Sequence, residues 1–484
     1  MTQEPYLRAG KLQMFLLYIT KRQKNEPGNY RTISLSSVVC KLMEKIIRSW
    51  VVEHLLQNNC ISNKQYGFLP GRSTTTQLLS VIECWTESLD RGSELDVLYF
   101  DFVKAFDTVP HRRLMSKTAG YGVNENTTRW ITNFLTNRSQ RVVVKGCPSD
   151  WRNVTSGVPQ GSVLGPTLFV LYINDLPSTT LSSLWLFADD AKLTREIKNN
   201  EDRKIIQSDI NEMLTWSDRW LLKFQPPKCK AMHISRRGKE EQRMVYKMNG
   251  TEIECVTSEK DIGIIIDRNL SFDKHITTTA KKANKIMGVI RRSYSHLDET
   301  NFKFLFRGLV RPHLEYAQAV WQPHKKGQIR TLESVQRRAT KQIPSLRHLS
   351  YEERLKQLKL PTLAYRRLRG DMIEVFKITH SIYDQSTTQH LLQPAYNNTT
   401  RGHPFKLKKR HSNLDIRLHS FSHRIVNNWN SLPEETVTSK TILSFEKHLD
   451  RAWENHPLKW DPEEPQIWTK RPYTPAPRNQ HKVT

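Results

Sequence analysis

No apolar run near the start of this 484-residue chain approaches the roughly 20 residues needed to cross a bilayer; the longest, Met14 to Ile19, is six residues long. The opening MTQEPYLRAGK also lacks the basic flank and apolar core of a secretory signal, so an intracellular setting, nuclear or cytoplasmic, and no membrane partner are expected. Cysteine is scarce. Cys40, Cys60, Cys84, Cys147, Cys229 and Cys255 are scattered, without a C-x-x-C pair or histidines at zinc spacing, so a structural zinc site is excluded. Free, mostly buried thiols are the expectation. No fixed-period repeat is visible, which sets aside solenoids and propellers.

Negative charge is also in deficit: 48 Asp plus Glu stand against 75 Lys plus Arg, giving +27. Such an excess selects a polyanionic partner. Apolar residues at 37% and aromatics at 9% suffice for real cores, and the length implies two or more structural units.

From Tyr30 to about Leu56, Val38, Leu42, Ile46, Val51 and Leu55 recur at spacings of four or five and predict one apolar helix face, capped by Ser36 or Ser37. The turn-rich QYGFLPGRST (Gln65 to Thr74) and a second amphipathic helix from Thr75 to Leu89 follow. DVLYFDF (Asp96 to Phe102) reads as a strand that ends at Asp101, before a turn and helix start around Asp107 and Pro110. RVVVKG (Arg141 to Gly146) reads as a strand, SGVPQGSVLGP (Ser156 to Pro166) as a glycine-punctuated loop, and Leu164 to Leu176 as a helix. LWLFADDAKL (Leu184 to Leu193) has two apolar arms around Ala188-Asp189-Asp190, the pattern of a β-hairpin with acids at its turn; a helix through Ile206 and Met213 comes next. This order gives an α+β core. Beyond about Asp267 basic helical patterns dominate, and the tail from about Lys470 is proline-rich and expected to be disordered.

Joining a nucleotide to a 3′ hydroxyl uses two Mg²⁺ ions about 4 Å apart, and such hard cations want carboxylate oxygens. A strand-end aspartate beside an Asp pair on a neighbouring hairpin supplies them. The plainer alternative is that Asp101, Asp189 and Asp190 are ordinary turn residues. The Phe, Leu and Trp residues preceding them place the acids at the edge of a buried sheet instead.

YFDFVKAFDTV resembles the first catalytic motif of reverse transcriptases, SGVPQGSVLGP their nucleotide-site loop, and FADD their x-x-D-D motif, in the family's order. YRTISL, QYGFLPGRST, LKFQPPKCKAMHIS and DIGIIID resemble further motifs of the enzymes of non-LTR (LINE-like) retrotransposons, the jockey type above all. The resemblance covers roughly residues 18 to 268 and continues in VRPHLEYAQAVWQPHKKGQIRTLESVQRRATKQI.

That resemblance implies a right-hand polymerase with an antiparallel palm sheet and a mostly helical C-terminal region. Residues 1–95 would be N-terminal segment and fingers, 96–268 palm with inserted elements, 269–350 a thumb-like segment, 351–469 a basic helical region and 470–484 the tail. Asp101, Asp189 and Asp190 match the catalytic acids, with the Phe102 carbonyl a further ligand to two Mg²⁺ ions, for which Mn²⁺ can substitute. Phe106 matches the bulky residue that excludes a ribose 2′-hydroxyl, although an aromatic there also reads as core. Gln160 and Gly161 match the loop beside the incoming nucleotide. Arg72 matches a basic fingers residue near the triphosphate, with Arg31 assisting, and Lys228 matches a proton donor to pyrophosphate; by residue type alone all three are surface charges. Asp107 reads as a helix cap rather than a metal contact. Trp321, Tyr316 and Tyr365 are available for base stacking among the basic helices, and a solvated face over core aromatics explains that segment equally well.

Thr32, Gln225 and Ile262 stand where the family usually has proline, asparagine and leucine. The chain begins almost at the fingers, without the upstream endonuclease domain of jockey-type proteins. The expected function is RNA-directed DNA polymerase acting on an RNA template, a DNA primer and dNTPs, with a separate endonuclease as partner. The alternative is a truncated, inactive remnant or maturase-like protein that only binds nucleic acid.

Overall fold

The computed structural model describes residues 12–19, 30–144, 147–236, 245–294, 296–395 and 402–463, with the backbone alone at 12–19 and 30–32. Along the chain run β1 (Leu12–Ile19), β2 (Tyr30–Leu35), α1 (Val38–Gln57), α2 (Thr74–Asp90), β3 (Glu94–Phe100), α3 (Ala105–Thr108) and α4 (His111–Gly120). Next come β4 (Ser139–Val144), β5 (Cys147–Pro148), β6 (Arg152–Asn153), α5 (Gly165–Ile173), β7 (Ser183–Phe187), β8 (Asp190–Ile197) and α6 (Asn200–Trp220). Then follow β9 (Lys230–Ile234), β10 (Lys247–Met248), β11 (Thr251–Glu252), β12 (Glu254–Cys255), β13 (Ser258–Asp261), β14 (Ile264–Asp267) and α7 (Asp273–Ser293), before a run of further helices. The α+β class expected from the sequence is the one observed. The chain forms two compact units: the described residues of Met1–Ser73, Leu95–His233 and Glu240–Val256, and those of Thr74–Glu94, Ile234–Lys239 and Thr257–Thr484.

The first unit is organised by a five-stranded sheet in the order β12-β9-β3-β8-β7. Its central strand β3 is buried at Leu95, Val97, Leu98 and Phe100. β7 and β8 pair antiparallel, with Leu184 opposite Leu193 and Phe187 opposite Asp190, so the turn contains only Ala188 and Asp189. α5 lies beneath: all its residues except Pro166 are buried, as an all-round apolar helix requires, and Pro166 sits in the first turn where its missing N–H is harmless. Asp96, fully buried in β3, accepts from the Tyr246 hydroxyl at 2.6 Å and from Arg203 Nε at 3.3 Å, and its other oxygen lies 2.6 Å from His233 Nδ1. One carboxylate thereby ties β3 to β9, α6 and the segment before β10. A second sheet, β2-β1-β4-β5 with β6 on β4, belongs to the same unit.

α1 corrects the predicted face. Ser37 does cap it, its Oγ accepting from the Cys40 amide at 3.2 Å. The buried side, however, is Glu44, Ile47, Val51, Val52 and Leu55, while Val38, Leu42 and Ile46 are exposed. Glu44 explains the rotation, because its Oε2 accepts the amides of Val163 at 2.6 Å and Leu164 at 2.9 Å and so turns that face inward.

In the second unit α2 is surrounded by residues from the far end of the chain. Glu83 accepts from Arg417 Nη2 at 2.6 Å and from Arg410 Nη1 at 3.3 Å, and the Ser422 hydroxyl donates to its other oxygen at 2.5 Å. Asp90 Oδ1 accepts the amides of Asn413 and Leu414, each at 2.8 Å. Trp321 and Tyr365 are 1% and 3% exposed, so these two rings are core and not available for stacking; Tyr316 is exposed and donates its hydroxyl to Ile262 O at 2.9 Å. None of the six cysteines forms a disulfide, but only Cys229 is buried, and Cys147 and Cys255 are exposed, against the expectation of mostly buried thiols. The tail from Lys470 lies outside the described residues.

Two buried imidazoles of this unit act as acceptors: His275 Nδ1 for the Ile265 amide and His456 Nδ1 for the Leu458 amide, each at 3.2 Å. Burial pushes both rings down to about 4. Since the unfolded imidazoles titrate near 6.5, the unfolded chain binds more protons below that pH, and stability present above about 6.5 is lost as pH falls toward 4. The melting temperature is expected to fall between pH 7 and pH 5, less steeply in H275Q; a flat profile in calorimetry would contradict this.

Candidate active site

Asp101 is the first residue past β3, and Asp190 is the first residue of β8, the neighbouring strand; Asp189 completes the β7–β8 turn with Ala188. The apolar flanks fix this placement, with Phe100, Leu186 and Ala191 buried in one core. Beyond Asp101 the chain is pinned to the segment ahead of β9: Val103 N–H donates to Lys223 O at 2.9 Å, Gln225 N–H donates to Asp101 O at 2.8 Å, and the Phe102 and Phe224 rings stack at 4.4 Å. Because those bonds involve the residues on either side of Phe102, its own carbonyl faces away from that segment, toward the β8 side.

Asp101 Oδ2 contacts Lys228 Nζ at 2.5 Å, with both side chains more than a third exposed. Among the described residues no group of three His, Cys, Asp or Glu side chains is gathered closely enough to hold a metal ion. Like charges at adjacent strand ends repel, and Asp101 is turned to an ammonium instead. The donors nevertheless fit Mg²⁺ in kind: carboxylate oxygens and one backbone carbonyl, hard ligands on neighbouring strands.

The Ser156–Pro166 loop is clamped against the segment Phe106–Val109 that follows Asp101 and against Ser34. Gly157 has φ +90°, and a Cβ there would lie 2.7 Å from Asp107 O; Gly161 has φ +97°, with Ser34 O 3.0 Å from a would-be Cβ. Val158 N–H donates to Phe106 O at 2.7 Å, Gly157 N–H to Val109 O at 2.8 Å, and Ser34 N–H to Gln160 O at 2.8 Å. Asp107 does not cap a helix. It lies inside α3, and the Ncap of α4 is Pro110, with no side-chain bond; its carboxylate instead accepts from Gln160 Nε2 at 3.1 Å. Phe106 is partly buried, stacked on Phe169 at 4.5 Å with Phe68 edge-on at 6.5 Å.

Arg72 is spoken for locally, its Nη1 donating to Ser62 O at 2.7 Å and Gln65 O at 2.5 Å, so it shapes its own loop. Arg31 lies on β2, and its side chain is outside the described residues. Sequence reasoning missed a cleft of about 260 Å³ lined by Lys104, Asp107, Arg138, Gln140 and Gln160. Arg138 is 3% exposed, with burial holding its guanidinium down to about 10, and Lys104 stands in the left-handed region at φ +46°. Nothing in the local string around Arg138 signals this, since its burial arises only when its strand packs.

The profile of the family described as "Reverse transcriptase (RNA-dependent DNA polymerase)" matches residues 19–305. The chain is similar to the probable RNA-directed DNA polymerase from transposon BS of Drosophila melanogaster, 26% identical over 68% of this chain and 38% of the relative. It is likewise similar to the RNA-directed DNA polymerase from mobile element jockey of Drosophila funebris, 27% identical over 62% of this chain and 34% of the relative. The chain thus spans little more than a third of these relatives' lengths. Apo telomerase from Candida tropicalis aligns over 72% of this chain and 60% of its own at 12% identity and a TM-score of 0.43. With the profile covering more than half of its residues, Asp101, Asp189, Asp190 and the Ser156–Pro166 loop included, this chain belongs to the reverse transcriptase family.

Proposed function

We propose that the chain is an RNA-directed DNA polymerase of the non-LTR, jockey-like kind, adding dNTPs to the 3′ hydroxyl of a DNA primer on an RNA template. The observation that carries this is the position of Asp101, Asp189 and Asp190 at adjoining ends of β3 and β8 within the matched family region. Asp101, Asp189, Asp190 and the Phe102 carbonyl would hold two Mg²⁺ ions, which supply activation of the attacking oxygen and neutralisation of the departing pyrophosphate. The sheet bearing the acids is the palm in this reading, and the flanking residues up to 95 the fingers.

The chain's own groups do the rest. Gly161 lets the backbone approach the incoming nucleotide, and Gln160, steadied by Asp107, lies beside it. Phe106 offers its ring under the sugar, and its stacking on Phe169 keeps that ring from yielding. Lys228, already beside Asp101, is within reach to pass a proton to pyrophosphate. Arg72 orders the loop from Ser62 to Arg72, and Arg31 assists at the triphosphate. The net +27 and the exposed Lys281, Lys282, Lys285, Arg291 and Arg292 of α7 supply phosphate contacts.

Primer extension on an RNA template with Mg²⁺ tests the proposal. D101A and D189A are expected to abolish dNTP incorporation and leave RNA binding largely intact, since acids hold metal while basic side chains hold phosphates. Wild-type extension by either variant would refute it. F106A is expected to raise rNTP over dNTP use by about 10–200-fold, as when a pocket discriminates by one small group. If Phe106 is only core, both activities fall together with a loss of roughly 3–5 kcal/mol in stability. Steady-state kinetics with matched nucleotides, alongside melting curves, separates the two outcomes.

A further inference from the structure

The β7–β8 turn carries an unfavourable backbone. Ala188 has φ +54° and is 2% exposed. An L-residue there costs about 1–2 kcal/mol, and such conformations persist where the surroundings over-determine them. What over-determines this one comes from the loop between α1 and α2. Residues Lys64 to Tyr66 lie alongside β7: Leu186 N–H donates to Lys64 O at 2.9 Å, and Tyr66 N–H donates to Leu186 O at 2.8 Å. Between them Gln65 is fully buried and aims its Oε1 at the turn, where it accepts the Ala188 amide at 3.0 Å and the Gly67 amide at 2.8 Å. Gly67 permits the approach, since a Cβ on it would lie 2.5 Å from the Ala188 nitrogen. The loop is itself held by the Arg72 bonds and by Asn174, whose Oδ1 accepts the Ser62 amide at 2.9 Å and whose Nδ2 donates to Cys60 O at 2.7 Å.

We propose that Gln65 is a positioning residue of the polymerase reaction: by fixing the Ala188 peptide it sets where Asp189 and Asp190 stand relative to Asp101. The inference rests on the polymerase reading above. The Ala188 N–H belongs to the Phe187–Ala188 peptide, so holding it fixes the left-handed φ of Ala188, on which the direction of the following Asp189 depends, and an error of about 1 Å in a catalytic group can cost on the order of 100-fold in rate. Only the acceptor half of the amide is used, because Gln65 Nε2 is buried without a hydrogen-bond partner. That asymmetry separates positioning from packing. Gln65→Glu keeps the acceptor at the same reach, whereas Gln65→Met keeps the volume and loses the acceptor. A packing role favours methionine over a buried carboxylate; a positioning role favours glutamate.

The test measures primer extension, the Mg²⁺ concentration for half-maximal rate, primer–template affinity and melting temperature for Q65M, Q65E and D189N in parallel. Q65M is expected to lower kcat by about 10–100-fold and to raise the Mg²⁺ requirement, with KM for dNTP and nucleic-acid affinity little changed. Q65E is expected to retain more activity than Q65M. Wild-type kcat and Mg²⁺ dependence in Q65M, beside an inactive D189N, would overturn this inference alone. An active D189N would overturn the polymerase reading beneath it. Parallel losses of melting temperature and nucleic-acid binding, with Q65E no better than Q65M, would make Gln65 a folding residue and overturn the inference as well.

Discussion

The site depends on one constraint: β3 and β8 are hydrogen-bonded neighbours, and neighbouring strands lie about 4.8 Å apart. That neighbourhood sets β3, which ends just before Asp101, beside β8, which opens with Asp190. The apolar residues of β3, β7 and β8 enforce it, because a slip of one residue would turn Leu184, Leu186 and Leu193 away from the core. Asp96 adds a polar lock in the same strand, its buried carboxylate satisfied by three partners from three other segments. A sheet so determined can carry like charges at its edge.

Those charges are managed rather than neutralised. Asp101 meets Lys228, an exposed pair of the kind worth at most about 1 kcal/mol. A contact so weak holds the carboxylate without locking it. Asp107 is handled differently, its oxygen occupied by Gln160 in the glycine-punctuated loop. The two acids six residues apart therefore do different work, one at the strand end and one bracing a loop.

Much of this was legible along the chain. Alternating apolar arms around Ala188-Asp189-Asp190 predict the hairpin, and a β-prone run ending at Asp101 predicts the strand, because both signals are local and have a period of two. Resemblance to family motifs assigns expected roles to the acids, Gln160 and Phe106. Reading residue by residue failed where a residue's state is set by distant partners. Trp321 and Tyr365 read equally as stacking rings or as core among the basic helices, and both are enclosed. Asp107 reads as a cap from its position before Pro110, yet Gln160, fifty-three residues later, takes its carboxylate.

The sequence by itself determined the order of the main strands and helices around the acids, the basic charge and which acids are candidates, since side-chain period, composition and motif order are properties of the string. Only the tertiary structure decided which face of α1 is buried, that α2 is enclosed by residues more than 300 positions away, and that Gln65 reaches the β7–β8 turn. The reason is physical. Local preferences choose the conformation of a segment, but a buried carboxylate or amide goes where its hydrogen-bond partners are, and folding, not sequence distance, brings those partners together.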